Sequence, residues 1–296
     1  MNVTFRQLEL FRALLSEGSV SGAARLAGVT QSTASVHLRE LADEIGLPLY
    51  EVLGRKVQLT ETGRELAVAA REIQGAWEGL TQKVDALRGL ERGRLRISVV
   101  STAKYFVPRL LGRFCAKHPH IEISLEVLNR DRVVERLRGN LDDIYVMSQP
   151  PKDITIIDRP FLANPLVLIA PAKHSLALRR RIELKELAGE RFVLRERGSG
   201  TRMAMDDFFR RRQFIPDVRL ELGSNEAVRE AVIGGLGIAV LSSHAVARGS
   251  RREFVTLDVI DFPIQTQWHL VYPAGKQLSP LAKVFSEELI AYSHSA

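Results

Sequence analysis

Ser101 and Lys104 have a spacing that matches a known catalytic arrangement. A serine followed three positions later by a lysine is the pair with which serine–lysine hydrolases activate a nucleophile. The companion motifs of those enzymes are missing, so this short match alone gives weak support for catalysis. The main prediction is therefore a protein that is not an enzyme, and a serine–lysine hydrolase is the alternative.

Metal and nucleotide chemistry have little support in the sequence. The seven histidines are scattered and Cys115 is the single cysteine, so no cluster has the spacing of a metal site. The glycine-rich patterns that bind dinucleotides and nucleoside triphosphates, G-x-G-x-x-G and G-x-x-x-x-G-K-[ST], are also missing. The sequence therefore predicts neither a metal nor a bound cofactor.

Polar side chains that could bind an anion follow four predicted strands, which end near Val100, Leu128, Leu194 and Leu222. In α/β folds, ligands bind at the C-terminal ends of strands, against helix N-termini. Each side chain could instead only cap a helix, but four such loops together favour a cleft for a small anion. The candidate ligands of this effector are Ser101, Thr102, Lys104, Asn129, Arg130, Gln149, Ser199, Thr201, Arg202, Asn225 and Glu226.

Alternating strand and helix patterns place these loops in an α/β module. Strands are predicted at 94–100, 121–128, 144–147, 166–170, 192–194, 218–222, 238–241 and 268–272. Helices are predicted around 105–118, 131–139 and 202–212, from 225 onward, and over 279–292. This alternation predicts parallel sheets with crossover helices, arranged as two lobes joined by two connecting strands. A solute-binding protein that never contacts DNA is the second alternative.

The N-terminal residues predict a helix–turn–helix. Thr4 and Gln7 form a capping box that opens the first helix. Ser19 and Thr30 are suited to cap the second and third helices, and Gly28 tolerates the positive φ that a tight turn between them needs. The apolar face of the first helix is expected to consist of Phe5, Leu8, Phe11 and Leu15.

The third helix, over residues 31–44, carries a polar face suited to the DNA major groove. No acidic residue occurs from Thr30 through Arg39. Gln and Arg can bond to base edges, hydroxyls can bond to phosphates, and a methyl-bearing side chain can contact thymine. The candidate DNA-binding residues are Gln31, Ser32, Thr33, Ser35, Val36, His37 and Arg39, and the buried side is expected to be Ala34, Leu38, Leu41 and Ile45.

A hairpin predicted over residues 46–60 would form a wing beside this helix. Arg55 and Lys56 lie at its tip, where they would bind phosphates. Charge alone does not point to DNA, because residues 1–92 carry 11 Lys and Arg against 12 Asp and Glu, whereas residues 93–296 carry 31 against 23. The prediction of DNA binding therefore depends on the residue pattern. A generic three-helix bundle with a polar face is the alternative.

A heptad pattern follows the wing. Thr62 and Glu65 are expected to cap a helix over residues 62–90. Apolar or small residues then recur at alternating spacings of four and three: Leu66, Ala70, Ile73, Trp77, Leu80, Val84 and Leu87. Such a seam needs a partner helix, and the simplest partner is the same helix of a second copy in a two-fold dimer. Packing against the chain's own C-terminal domain is the alternative.

Length and composition limit the class of protein further. The 296 residues suit about two domains of ~150 residues each. The 45% hydrophobic and 26% charged residues are normal for a globular protein. No run of 18 apolar residues and no signal peptide is evident, and one cysteine cannot form an intrachain disulfide. We therefore expect a cytoplasmic protein without a membrane partner.

The order of these parts resembles the LysR-type transcriptional regulators over essentially the whole chain. The strongest match is residues 18–32, GSVSGAARLAGVTQS, followed by Ser35, Leu38, Leu41, 44–46 (EIG), 48–50 (PLY), 54–55 (GR), 59–60 (LT) and Gly63. The sequence departs from the family at Val36 and Val52, where Arg is common. By this resemblance, Val36 would change the base preference, and Val52 would remove a phosphate contact near the wing.

This resemblance implies an α+β multidomain fold. Residues 1–60 would be a winged helix–turn–helix domain, 61–92 a linker helix that dimerises as a coiled coil, and 93–296 a type 2 periplasmic-binding-protein-like effector domain, with lobe I at 93–162 and 266–296 and lobe II at 163–265. Within the family, residues 101–106 (STAKYF), 143–151 (DIYVMSQPP), 161–165 (FLANP), 197–202 (RGSGTR) and 224–227 (SNEA) resemble the branch that regulates carbon-fixation operons.

The branch implies a regulator that activates or represses transcription from double-stranded DNA, as a homodimer or homotetramer, with RNA polymerase as a further partner. Its effector would be a small anionic, phosphorylated metabolite bound between the lobes. Lys104, Arg130 and Arg202 would suit the phosphate.

Overall fold

A computed structural model of the chain describes residues 2–53, 56–87, 93–247 and 252–292, and within these ranges the side chains of residues 53, 56, 82, 83 and 85–87 lie outside the description. The chain consists of two compact units, Met1–Leu80 and Thr81–Ala296.

The N-terminal unit is a helix–turn–helix followed by a hairpin and a long helix. Its elements are α1 (Phe5–Glu17), α2 (Val20–Leu26), α3 (Gln31–Ile45), β1 (Tyr50–Leu53), β2 (Lys56–Leu59) and the first part of α4 (Glu61–Leu87). The predicted capping box of Thr4 and Gln7 is present, and the hydroxyls of Ser19 and Thr30 cap α2 and α3. Gly28 has the positive φ of +65° that the turn between α2 and α3 requires.

The core of this unit lies between the three helices and the start of α4. Leu10, Phe11 and Leu14 of α1 are fully buried against Leu38 and Leu41 of α3. The predicted apolar face of α1 was therefore wrong in one respect, because the side chain of Phe5 is 62% exposed and contacts Trp77 with 5.5 Å between ring centroids. Phe5 is the first residue of α1.

Helix α4 begins one residue before the predicted cap. Thr60, not Thr62, accepts a hydrogen bond from the Gly63 amide at 3.0 Å, and its hydroxyl also donates to the Pro48 carbonyl at 2.6 Å. The predicted Thr62 cap was wrong: the cap is Thr60, which directly follows the last residue of β2 and is hydrogen-bonded to Pro48, in the segment before β1.

The C-terminal unit has an α/β lobe built on a five-stranded sheet in the order β4-β3-β5-β12-β6. Its strands are β3 (Gly93–Val100), β4 (Ile121–Leu128), β5 (Ile144–Met147), β6 (Ile156–Ala163) and β12 (Gln267–Pro273). Its helices are the 3₁₀ helix Ser101–Tyr105, α5 (Val107–Lys117), α6 (Arg130–Arg138) and α10 (Pro280–Tyr292). Strand β3 pairs in parallel with β4 and β5, whereas β12 is antiparallel to β5 and β6.

The second lobe contains a three-stranded antiparallel sheet, β10-β7-β11, and a parallel pair, β8-β9. Its strands are β7 (Leu166–Pro171), β8 (Arg191–Arg195), β9 (Asp217–Leu222), β10 (Ala239–Ser242) and β11 (Phe254–Thr256). Its helices are the 3₁₀ helix Leu184–Gly189, α7 (Gly200–Arg211), α8 (Asn225–Ile233) and α9 (Ser243–Val246). The predicted two-lobed α/β class is confirmed. The predicted parallel pairing is present among β3, β4 and β5 and between β8 and β9, whereas β12 and the β7 sheet pair in antiparallel fashion, which was not predicted.

Candidate functional site: a DNA-reading helix and an interlobe cleft

Helix α3 exposes the predicted reading face. Gln31, Ser32, Val36 and Arg39 are exposed, while Ala34, Leu38 and Leu41 on the opposite side are buried. Thr33, Ser35 and His37 are half-buried at the margins, and Ile45 is half-buried at the end of the buried side. The exposed set combines an amide, a hydroxyl, a methyl-bearing side chain and a guanidinium, which is the chemistry that reads base edges and phosphates.

Some side chains of this face are already engaged locally. The Thr30 hydroxyl lies 2.9 Å from the hydroxyl of Ser32 and 2.8 Å from that of Thr33. The imidazole of His37 lies 3.2 Å from the Glu40 carboxylate. These contacts fix the N-terminal turn of α3 and the rotamer of His37, so the start of the reading face is preorganised.

The wing is a short antiparallel hairpin in which Tyr50 of β1 pairs with Leu59 of β2. The Val57 amide donates to the Gly18 carbonyl at 3.2 Å, which ties β2 to the turn between α1 and α2. Arg55 lies outside the described residues, and nothing is described of the Lys56 side chain. Their predicted contact with phosphate stays a prediction.

The heptad residues of α4 divide into two groups. Leu66 and Ala70 pack into the core of the N-terminal unit, so their predicted place in a seam that faces a partner was wrong. Ile73, Trp77, Leu80 and Val84 are instead 43%, 56%, 50% and 36% exposed. The first turns of α4 cover the helix–turn–helix, and the apolar stripe begins only beyond them. The Leu87 side chain lies outside the description.

Three of the polar loops of the C-terminal unit meet where the two lobes face each other. The Lys104 amino group donates to Glu226 Oε2 at 2.9 Å, and the Tyr105 hydroxyl donates to Glu226 Oε1 at 2.8 Å. Lys104 and Tyr105 lie after β3, whereas Glu226 lies in the first turn of α8. One carboxylate therefore connects the two lobes.

Protonation states at this contact follow from the geometry. Partial burial alone would raise the pKa of the Glu226 carboxyl, but the hydrogen bonds from Lys104 and Tyr105 outweigh it and hold this pKa below its usual value. Burial, with the hydrogen bond to Glu226, raises the pKa of the Tyr105 hydroxyl. Glu226 is thus a carboxylate and Tyr105 a neutral donor at neutral pH.

Arg195, at the end of β8, is the central cation of this region, although the sequence did not single it out. Its side chain is 1% exposed and is held by both oxygens of Glu196 at 2.8 and 2.9 Å. It also donates to Ser101 Oγ at 3.2 Å and to the Asn225 side chain. The Asn225 amide donates in turn to Thr102 Oγ1 at 3.2 Å. A charged residue that ends the apolar strand FVLR was the signal that could have found it.

Arg202 points into its own lobe. Its guanidinium donates to both carboxylate oxygens of Asp206 at 2.9 Å and to Glu221 Oε1 at 2.8 Å. It also donates to the Arg195 carbonyl oxygen at 2.9 Å. Burial alone would lower the pKa of the guanidinium, but the two carboxylates outweigh it and raise this pKa. Arg202 therefore already has two anionic partners within lobe II.

The remaining candidate residues lie along the same interlobe boundary. Arg130 donates to the Gln149 carbonyl at 2.7 Å and to Asp131 at 3.2 Å. Asn129 accepts from the Arg132 amide at 3.1 Å, as a helix cap does. Ser199 and Thr201 are buried at the N-terminus of α7.

The two lobes approach closely at the N-terminus of α7. A Cβ added to Gly200 would lie 2.8 Å from Ser148 Oγ, so only glycine allows this approach without a shift. The Asp131 amide donates to the Gly198 carbonyl at 3.4 Å. The boundary is therefore closed here, while a cavity of about 560 Å³ opens beside Gln149 and Thr266.

The hydrolase alternative is not supported by this geometry. Ser101 accepts a hydrogen bond from Arg195, and Lys104 is ion-paired with Glu226, so both side chains are engaged by residues of the opposite lobe. In the described part of the chain, no group of three or more His, Cys, Asp and Glu side chains comes together as a metal site would require. None of the helices described there combines the length and the apolar character needed to cross a bilayer.

Two family profiles together cover nearly the whole chain. Residues 5–64 match the profile described as bacterial regulatory helix-turn-helix protein, lysR family, and residues 88–293 match the LysR substrate binding domain. The chain is 42% identical to the HTH-type transcriptional activator CmpR of Synechocystis sp. over 295 residues, which cover 99% of this chain and 97% of that protein. It is 42% identical to the RuBisCO operon transcriptional regulator of Acidithiobacillus ferrooxidans, over 99% of this chain and 95% of that protein.

Solved structures agree with these matches. The regulatory domain of CcmR from Synechocystis PCC6803, in complex with 2-PG, superposes with a TM-score of 0.65 and 48% identity, covering 68% of this chain and 97% of that one. Full-length CbnR bound to its target DNA superposes with a TM-score of 0.66 and 21% identity, covering 98% of this chain and 99% of that one, which shows a common fold. The predicted fold class is confirmed.

Proposed function

Since this chain belongs to the LysR family of bacterial transcriptional regulators, we propose that it controls carbon-fixation genes in response to a small phosphorylated acid bound between the lobes of its C-terminal unit. The names of the relatives support the class of target genes, because they include a RuBisCO operon regulator that matches over 99% of this chain. The observation that supports DNA binding is the exposed polar face of α3, which carries no acidic residue from Gln31 to Arg39. The observation that supports effector binding is the set of hydroxyls, amides and cations that meet between the lobes.

Helix α3 enters the major groove in this proposal. Arg39 and Gln31 read base edges, and Val36 contacts a thymine methyl group. Hydrogen bonds to the DNA backbone or to bases come from Ser32, Thr33, Ser35 and His37. Arg55 and Lys56 of the wing bind phosphates beside the groove. Two copies of the helix on one duplex explain how a small reader reaches a useful affinity.

Arg39→Ala is expected to lower affinity for a specific duplex about 10- to 100-fold, because a good bidentate contact between Arg and a base contributes roughly 1–3 kcal/mol. Ser35→Ala should have a smaller effect in the same direction. The measurement is a gel shift at fixed salt with a duplex that the wild-type chain selects from a random pool.

Arg109→Ala, an exposed site on α5 that removes the same charge, serves as the control and should leave this affinity unchanged. Equal losses of specific and non-specific binding in the Arg39 variant would make Arg39 a phosphate contact and would contradict its place on the reading face.

The exposed stripe Ile73, Trp77, Leu80 and Val84 supports dimerisation through α4. A second copy of the same helix would cover these apolar side chains in a two-fold arrangement. Leu87 occupies the next heptad position in the sequence and is expected to continue this stripe. Assembly of dimers into a tetramer and contact with RNA polymerase complete the proposal, which places the protein in the cytoplasm.

The proposed domains follow these surfaces. The boundaries are 1–60 for the winged helix–turn–helix, 61–92 for the linker helix and 93–296 for the effector domain, with lobe II at 163–265. Strands β6 and β12, which join one lobe to the other, belong to the lobe I sheet and support the two crossing points near 163 and 266.

The effector site is the interlobe cleft. The CcmR regulatory domain, 48% identical to this chain, was solved with 2-PG (2-phosphoglycolate), and this supports a phosphorylated acid as the ligand here. Lys104 and Arg130 would meet its anionic groups, with the hydroxyls of Ser101, Thr102, Ser199 and Thr201 as donors. The boundary between the lobes is lined by Asn225, Asn129 and Gln149. Arg202 donates a hydrogen bond to the backbone carbonyl of Arg195 and so positions Arg195.

The effector acts by shifting a population. An anion that prefers one arrangement of the lobes can move the equilibrium only by its differential affinity for the two arrangements. No covalent step is needed.

Lys104→Ala is expected to weaken binding of 2-phosphoglycolate by roughly 10- to 100-fold, because a hydrogen bond to a charged group contributes about 1.5–3 kcal/mol. Isothermal titration calorimetry of the full chain measures the change. The matched control is Lys117→Ala, which removes a lysine that is also paired with a glutamate, Glu288, on the outside of lobe I. Unchanged affinity in the Lys104 variant would remove this lysine from the effector site.

A further inference from the structure

Glu226 supplies a negative charge at the place where the proposed effector needs a positive one. Its two carboxylate oxygens take the hydrogen bonds of Lys104 and Tyr105 at 2.9 and 2.8 Å. These two donors lie at the end of β3 in one lobe, and Glu226 opens α8 in the other. A side chain of lobe II therefore occupies the donors that lobe I would offer to an anion.

This pair differs from the other charge pairs at the cleft. Arg195 is paired with its neighbour Glu196, and Arg130 is paired with its neighbour Asp131. Arg202 is paired with Asp206 and Glu221 of its own lobe. Of these four cations, Lys104 is the one whose carboxylate comes from the opposite lobe, so its ion pair is the one that movement of the lobes would break.

The pair is also suited to exchange. The side chains of Lys104 and Glu226 are 32% and 41% exposed, and ion pairs with this much contact with water contribute little stability. A phosphate group carries more charge than a carboxylate and has more acceptor oxygens. A dianion can therefore replace Glu226 on Lys104 and Tyr105, and the released carboxylate can be solvated.

We propose that Glu226 is a built-in competitor of the effector: its carboxylate occupies Lys104 and Tyr105 across the two lobes in the ligand-free protein, and the anionic group of the effector takes over these two donors and releases it. The released carboxylate then faces an anion of the same sign, which favours a different position of α8. Binding is in this way coupled to the relative position of the lobes. The inference rests on the effector site proposed above.

Glu226→Gln tests the competition, because the amide has the shape of the carboxylate but not its charge. We expect 2-phosphoglycolate to bind the full-length variant at least about 5-fold more tightly than the wild type in calorimetry. Glu230→Gln is the control, since Glu230 lies one turn along α8, is largely exposed and pairs with Arg229; it should bind like the wild type. Weaker binding by Glu226→Gln would make Glu226 a direct ligand of the effector, and unchanged binding would mean that it does not compete. Either result overturns the proposal.

A measurement without ligand separates this inference from the effector assignment. In hydrogen exchange, residues 101–106 and 225–230 should exchange faster in Glu226→Gln than in the wild type, and no faster in Glu230→Gln. Wild-type protein that does not bind 2-phosphoglycolate would overturn the effector assignment but not this exchange difference. Equal exchange in the wild type and Glu226→Gln would overturn the interlobe contact itself.

Discussion

Gly63→Ala is expected to abolish specific DNA binding while the C-terminal unit stays folded. A Cβ at this position would lie 1.8 Å from the Leu49 carbonyl oxygen, a backbone atom that cannot rotate away. The same oxygen accepts the Thr60 amide at 3.2 Å, so it fixes the junction between the segment before β1 and the start of α4. Helix α4 would have to shift by more than 1 Å, and overpacking of this severity costs about 3 kcal/mol.

The loss would reach DNA binding because α4 completes the core of the N-terminal unit. Ala67 and Ala70 pack there with Leu38 and Leu41 of the reading helix α3. Thermal unfolding followed by circular dichroism, together with the gel shift, measures both effects.

Gly75→Ala in the same helix is the matched control. Nothing lies within 4 Å of a Cβ added there, so the change should stabilise α4 by about 0.5–1 kcal/mol through helix propensity. If Gly63→Ala behaved like Gly75→Ala in both measurements, the close approach of α4 to Leu49 would be contradicted.

Arg195→Ala is expected to destabilise the C-terminal unit by about 3–5 kcal/mol and to remove its response to the effector. The Arg195 side chain is 1% exposed, and its loss leaves Glu196 without its cation. Removing one partner of a buried pair typically costs this much, because the other charge remains partly desolvated. Ser101 and Asn225 would also lose the donor that they share across the lobes.

Urea unfolding of the full chain and calorimetry with 2-phosphoglycolate measure the two effects. Arg197→Ala, two residues along and exposed, removes the same charge and should change neither quantity. Arg195→Lys should be intermediate in stability, since a lysine keeps the charge but not the planar donors that reach several partners. Equal midpoints for Arg195→Ala and Arg197→Ala would show that Arg195 does not connect the lobes.

Much of the secondary structure could be predicted because its signals are local. The caps at Thr4, Ser19 and Thr30 were recognised from one residue type and its neighbours. Strands β4 and β5 begin and end where the apolar patterns predicted, at Ile121–Leu128 and Ile144–Met147.

Strand β6 was missed for a physical reason. Its sequence, IIDRPFLA, contains Pro160, which cannot donate to a neighbouring strand and therefore argues against a central strand. The structure places β6 at the edge of the sheet, next to β12, where a proline is tolerated. Position within a sheet depends on strands more than 100 residues away and is not visible in the local pattern.

The reading helix could be predicted from local sequence alone, because the polar and buried faces of α3 follow from helical periodicity. The family could be recognised as well, because the motif over residues 18–32 is long and specific. Which charges form ion pairs depends instead on the folded arrangement of the two lobes. Lys104 and Glu226 are 122 residues apart, and Arg195 and Ser101 are 94 apart, so their contacts depend on how the two lobes face each other. In the same way, the heptad pattern of α4 did not reveal that Leu66 and Ala70 belong to the core of the N-terminal unit. Spacing along a helix shows which side chains share a face, but the surface that covers this face is set by segments that are distant in the chain.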